Sequence, residues 1–117
     1  MTGTALLVDD EELVRINTAH MLTDLGYNVV EAASAAAALE LIDNGLKPDI
    51  LITDHLMPGM SGTELARRLQ SNGWDIKILV VSGYAEVEGI APDLARLHKP
   101  FRQAELANAI VGLEPPF

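Results

Sequence analysis

The sequence contains no cysteine, few basic residues and no long apolar run, and each lack removes a class of function. Cys 0 among 117 residues means no disulfide framework and no thiolate chemistry, which suits a cytoplasmic protein. Lys plus Arg number 8 against 17 Asp plus Glu, for a formal net charge of −9. The basic residues are scattered, so the clustered cations that release counterions on nucleic acid are missing, and no nucleic-acid binding by this domain alone is expected. No apolar stretch is long enough to cross a bilayer, and no basic-then-apolar leader opens the chain, so no membrane binding by this domain alone is expected either. Neither a P-loop nor a G-x-G-x-x-G opens the first helical segment, which disfavours a nucleotide site.

What remains is a globular composition, 49% hydrophobic and 21% charged, in a length that fits one domain with a real core. No internal repeat, linker or low-complexity tract divides it. Residues 1–117 are therefore read as a single domain, with "GLEPPF" (112–117) as a frayed end or the stub of a linker.

Four short apolar runs read as strands: "TALLVDD" (4–10), "YNVVEAA" (27–33), "DILITD" (49–54) and "KILVVSG" (77–83). Between them lie helical spacings. Val14, Met21, Leu22 and Leu25 recur at three- and four-residue steps before Gly26 stops the helix. Ser34 is a candidate N-cap for 35–44, with Asn44-Gly45 as the exit. Ser61 and Glu64 form a capping-box pattern before Leu65 and Leu69, and a last helix carries Leu106 and Ile110 after "KPF". Strands alternating with helices, and apolar on both faces, predict an α/β fold. The expected form is a single doubly wound, flavodoxin-like (βα)5 domain with a parallel five-stranded sheet in the order 2-1-3-4-5.

That order locates the acids. In an open parallel sheet the site lies outside the carboxyl ends of the strands, near the switch in strand order. Asp9 and Asp10 end the first strand, Asp54 the third and Ser82 the fourth, while Lys99 follows the segment read as the fifth. Three carboxylates at one edge repel one another unless a cation sits among them. Oxygen ligands without cysteine point to a hard divalent ion, Mg²⁺ foremost and Mn²⁺ as the alternative. A metal, a nucleophilic carboxylate, a hydroxyl and an ammonium are the components for accepting a phosphoryl group on Asp54.

The pieces "VDD" (8–10), "DHLMPGMSG" (54–62), "VVSGYA" (80–85) and "KPF" (99–101) occur in register. Together they resemble the receiver domain of two-component response regulators and hybrid sensor kinases over essentially the whole chain. The resemblance implies Asp54 as phosphoacceptor and a Mg²⁺ site built from Asp9, Asp10, Asp54 and the backbone carbonyl of Leu56. It implies Ser82 as the switch hydroxyl, Lys99 as the phosphoryl-binding lysine, and a cis peptide at Lys99-Pro100. The implied partner is a histidine kinase or a histidine phosphotransfer protein, and the implied docking face runs along Val14–Leu25 and Ala104–Val111. The implied role is a signalling phosphoacceptor that catalyses its own phosphorylation and slow dephosphorylation, not an enzyme turning over a separate substrate. The alternative is a receiver-like docking module that is never phosphorylated. A phosphatase of the haloacid-dehalogenase type fits less well, because the first strand offers Asp-Asp rather than Asp-x-Asp and there is little room for a cap.

The chain departs from the family pattern at two places. Arg96 stands three before Lys99, where the family usually has an aromatic that swings inward, so the familiar hydroxyl–aromatic coupling is not implied. The stretch from Ser82 to Lys99 is short by about one helical turn, and Gly89 and Pro92 break it, so a brief or irregular fourth helix is expected. Shortened receivers with "SGYA" resemble those fused to hybrid sensor kinases, or free-standing ones. Leu56 and Tyr84, two residues after Asp54 and Ser82, are bulky and unsuited to positioning water, which predicts slow loss of the phosphoryl group. Glu11 and Glu12 are read as helix-start acids. His20, His55 and His98 are read as ordinary surface or edge residues, and Trp74 as a partly buried anchor.

Overall fold

A computed structural model describes residues 3–73, 75–83 and 93–113. The elements run β1 (Gly3–Val8), α1 (Glu12–Asp24), β2 (Tyr27–Ala32), α2 (Ala35–Asp43), β3 (Ile50–Asp54), α3 (Gly62–Ser71), β4 (Lys77–Ser82), β5 (Ala95–His98) and α4 (Gln103–Val111). The five strands form one sheet in the order β2-β1-β3-β4-β5, every neighbouring pair parallel, as the pattern of acids and apolar runs requires. The helix expected between β4 and β5, with Tyr84, Gly89 and Pro92, lies outside the described residues, as do Trp74 and positions 114–117.

Period-two alternation sorts the strand side chains onto two faces. Leu6 and Val8 of β1, Leu51 of β3 and Val80 of β4 pack with Ala38 and Ile42 of α2 and with Leu65 and Leu69 of α3. Ala5 and Leu7, Ile50 and Ile52, and Leu79 and Val81 turn the other way, onto Ala19 and Leu22 of α1 and Leu106 and Ile110 of α4. The central strands are thus buried on both sides, and the sheet is wound with helices on each face. Such packing makes the sheet a rigid support, while the strand ends remain free to carry polar groups.

Local chemistry sets the helix ends. Ser34 caps α2 by accepting the Ala37 N–H at 3.0 Å, and Ser61 caps α3 by accepting the Glu64 N–H at 3.1 Å. Gly26, after α1, and Gly45, after α2, have φ of 102° and 107°, a left-handed region that costs glycine nothing. Arg102 precedes α4 and donates its backbone N–H to the Glu105 side chain at 3.0 Å.

Candidate functional site

Strand register brings the acids together. Val8 pairs with Thr53 and Asp54 with Val81, while Ser82 pairs with His98. Asp9, Asp54, Ser82 and Lys99 therefore stand at successive strand ends along the carboxyl edge. The Lys99 N–H donates to the Ser82 carbonyl at 2.8 Å, which fixes where the lysine leaves the sheet.

Asp9 and Asp54 are buried and Asp10 is exposed; one carboxylate oxygen from each lies within 4.8 Å of the others. The Lys99 ammonium lies 3.1 Å from Asp54 Oδ1 and 3.3 Å from Asp9 Oδ2. Burial acts against the charge on Lys99, but the contacts with Asp54 and then Asp9 outweigh it and hold the ammonium above its ordinary pKa. Three carboxylates thus face one ammonium, leaving an excess of negative charge that a divalent cation would balance. An all-oxygen donor set of this kind fits Mg²⁺.

The hydroxyl is placed just as tightly. Ser82 is fully buried, and its Oγ has no hydrogen-bond partner among the described residues. A hydroxyl in that state is costly unless some bound group uses it. The Lys99-Pro100 peptide is cis. Leu56 begins the loop after β3 with its side chain 61% exposed. Arg96 is exposed on β5, beside Val80 of β4, and turns to solvent. Tyr84 lies outside the described residues.

The histidine reading needs one correction. His20 and His98 are exposed, but His55 is only 6% exposed, with ring Nδ1 3.0 Å from Thr63 Oγ1. The lack of metal-ligand spacing makes His55 an ordinary surface or edge residue in the sequence, but the first turn of α3, through Thr63, covers it.

Two other contributors did not stand out in the sequence. Arg15, on α1, donates to the Asp9 carbonyl at 2.9 Å and pairs with Glu31 at 3.1 Å. With the Asp9 N–H held by the Ala32 carbonyl at 3.1 Å and Asp9 Oδ1 accepting the Glu11 N–H at 2.9 Å, the acidic turn is fixed from several sides. A lone arginine one turn into a helix that follows an acidic run is the signal available for it. Gly62 is the second. Its N–H donates to the His55 carbonyl at 2.9 Å, and its Cα lies against the backbone of Asp54. A glycine directly behind a capping serine is its sequence mark.

Similarity to other proteins spans nearly the whole chain. The family model for the response regulator receiver domain matches residues 5–111. The sensor kinase CckA of Brucella abortus is 40% identical over 116 residues, which cover 93% of this chain but 12% of that protein. Sporulation initiation phosphotransferase F of Bacillus subtilis is 28% identical over 94% of this chain and 92% of its own. A response regulator receiver protein from Sinorhizobium medicae superposes with a TM-score of 0.84 at 33% identity, covering 94% and 92% of the two chains. The chain spans a small part of the kinase and nearly all of the phosphotransferase. Motifs, strand order and the acidic edge agree: the chain belongs to the response regulator receiver domain family, whose members are phosphoacceptor signalling domains.

Proposed function

We propose that Asp54 is the phosphoacceptor of this receiver domain, and that phosphorylation there switches its protein contacts. The observation that carries this is the shared ammonium: Lys99 reaches both Asp54 Oδ1 and Asp9 Oδ2, at 3.1 and 3.3 Å, beside the three-carboxylate cluster. An Asp54 oxygen attacks the phosphorus of a phosphohistidine; the P–N bond breaks, the imidazole leaves with the bonding pair and takes up a proton, and an aspartyl phosphate forms. Lys99, protonated across the neutral range, follows the charge from the carboxylate to a phosphoryl oxygen. Ser82 Oγ donates to another phosphoryl oxygen, the partner its buried position calls for. Asp9, Asp10, Asp54 and the Leu56 carbonyl would hold Mg²⁺, with Mn²⁺ as the alternative, and the ion supplies charge neutralisation of the transferring oxygens. The domain thereby promotes its own phosphorylation without turning over a separate substrate.

The donor is a histidine kinase or histidine phosphotransfer protein. Leu13, Val14, Asn17 and Thr18 of α1 line a cleft of about 300 Å³ with Lys99, Pro100 and Phe101. Leu13 is 83% exposed, and Ile16, one turn further along α1, is exposed beside it. A phosphohistidine-bearing helix seated there reaches the acidic edge past Lys99. Similarity to a sensor kinase supports a receiver segment within a hybrid kinase, and similarity to the phosphotransferase supports a single-domain carrier; either would work in the cytoplasm. No described helix is long and apolar enough to cross a membrane.

Intact mass after incubation with acetyl phosphate tests the assignment. Wild type gains one phosphoryl adduct only with Mg²⁺ present, and Asp54→Asn gains none. A folded wild type that takes no phosphoryl group would instead make the domain a docking module.

A further inference from the structure

His55 uses every polar group of its backbone in holding the end of β3. Its amide donates to the Val81 carbonyl on β4 at 2.8 Å, and its carbonyl accepts the Gly62 N–H at 2.9 Å. Its ring adds a third tie, Nδ1 to Thr63 Oγ1 at 3.0 Å, with both side chains more than nine-tenths buried. Residues 56–61 are therefore a loop closed at its base by one backbone bond and one side-chain bond. Two apolar residues at 55 and 63 could fill the same space, but with little directional preference. A buried hydrogen bond fixes separation and angle, and it is costly to leave half-made.

The loop base sits between two groups given to the metal above. Asp54 precedes His55 and the Leu56 carbonyl follows it, so any shift at His55 moves both. Thr63 lies in the first turn of α3, whose position Ser61 and Gly62 also set. The pair thus refers the loop to a rigid helix rather than to its own flexible residues. We infer that the His55–Thr63 hydrogen bond is a positioning pair for the receiver chemistry. It presets the Asp54 carboxylate and the Leu56 carbonyl for a divalent cation before the cation binds. This rests on the metal and phosphoacceptor reading of the same edge.

Thr63→Val keeps the shape and removes the hydroxyl, and His55→Leu removes the ring nitrogen. Thr63→Ser keeps the hydroxyl, and His55→Asn offers a polar atom near the position of Nδ1. Three readouts separate positioning from packing: the Mg²⁺ dissociation constant by calorimetry, amide exchange at 56–61 in the metal-free protein, and the acetyl-phosphate adduct rate. Thr63→Val and His55→Leu weaken Mg²⁺ binding roughly tenfold, speed exchange in the loop and slow the adduct, while Thr63→Ser and His55→Asn stay near wild type. If Thr63→Val folds and matches wild type in Mg²⁺ affinity and loop exchange, the pair is packing only and the inference is overturned. If Thr63→Val fails to fold, Thr63→Ser and His55→Asn decide, since loss in both contradicts a role carried by the hydrogen bond. Wild type that neither binds Mg²⁺ nor takes a phosphoryl group sinks the underlying reading instead, a distinct result.

Discussion

Replacing Gly62 with alanine sets two effects of opposite sign against each other. Gly62 opens α3, and glycine-to-alanine changes in helices ordinarily stabilise by up to about 1 kcal/mol. Here a Cβ would lie 2.9 Å from the Asp54 carbonyl carbon, 3.0 Å from Thr53 Oγ1, and nearer still to the Asp54 carbonyl oxygen. The closest of these are backbone atoms, which have no rotamer in which to escape, so α3 or the end of β3 must move. Forcing an extra carbon into a packed site costs about 1–3 kcal/mol, and the rigid contact places Gly62→Ala toward the upper end. The net expectation is a loss of about 1–2 kcal/mol, a fall in Tm of roughly 4–8 °C for a domain this size. Gly112 supplies the internal control, because among the described residues its Cβ would meet only the Ala109 carbonyl oxygen at 3.4 Å and the Asn108 carbonyl oxygen at 3.5 Å, with φ of −64°. Thermal unfolding by circular dichroism should show Gly62→Ala falling while Gly112→Ala holds or rises. Because the displaced atoms belong to Asp54, Gly62→Ala should also slow phosphoryl uptake from acetyl phosphate. A Gly62→Ala protein as stable as wild type would refute the close-approach argument.

Other changes follow from single contacts. Ser34→Ala removes the α2 cap and should cost about 1 kcal/mol, read as a lower denaturant midpoint with an unchanged slope. Arg67 holds Asp93 with a two-pronged ion pair, one contact at 3.0 Å, and lowers the Asp93 pKa chiefly through that hydrogen bond. The pair's contribution to stability is present above the ordinary Asp value of about 3.9 and is lost as pH falls through the lowered one. An NMR titration should therefore find Asp93 below the ordinary value in wild type and near it in Arg67→Ala, and equal values in the two would contradict the pairing. Leu56→Asn combined with Tyr84→Glu should shorten the lifetime of the aspartyl phosphate, and an unchanged decay would sink the idea that these side chains govern access of water.

The fold was legible because its determinants are local and repetitive. Apolar runs that end in acids, helices spaced by threes and fours, and capping serines at 34 and 61 each specify one element. The carboxyl-edge rule then converts element order into a site without any side-chain geometry. His55 is illegible for the opposite reason: its burial depends on α3 folding back across the end of β3, a relation between residues 55 and 63 that neither strand nor helix periodicity carries. Arg15 belongs to the same class, since nothing in helical spacing distinguishes a solvent-facing arginine from one that reaches back to the Asp9 carbonyl. Gly62 is hidden differently, inside the piece 54–62, where the letters alone give it no role; its close approach to the Asp54 backbone shows that it is there for proximity. The residues that carry charge to the site could be read from sequence, whereas those that hold the charges in place required coordinates. Chemistry of this kind demands particular side chains at strand ends, while support demands only that something of the right shape and polarity arrive from elsewhere in the chain. Substitutions among these supporting residues are therefore expected to change metal affinity while leaving the acidic edge itself intact.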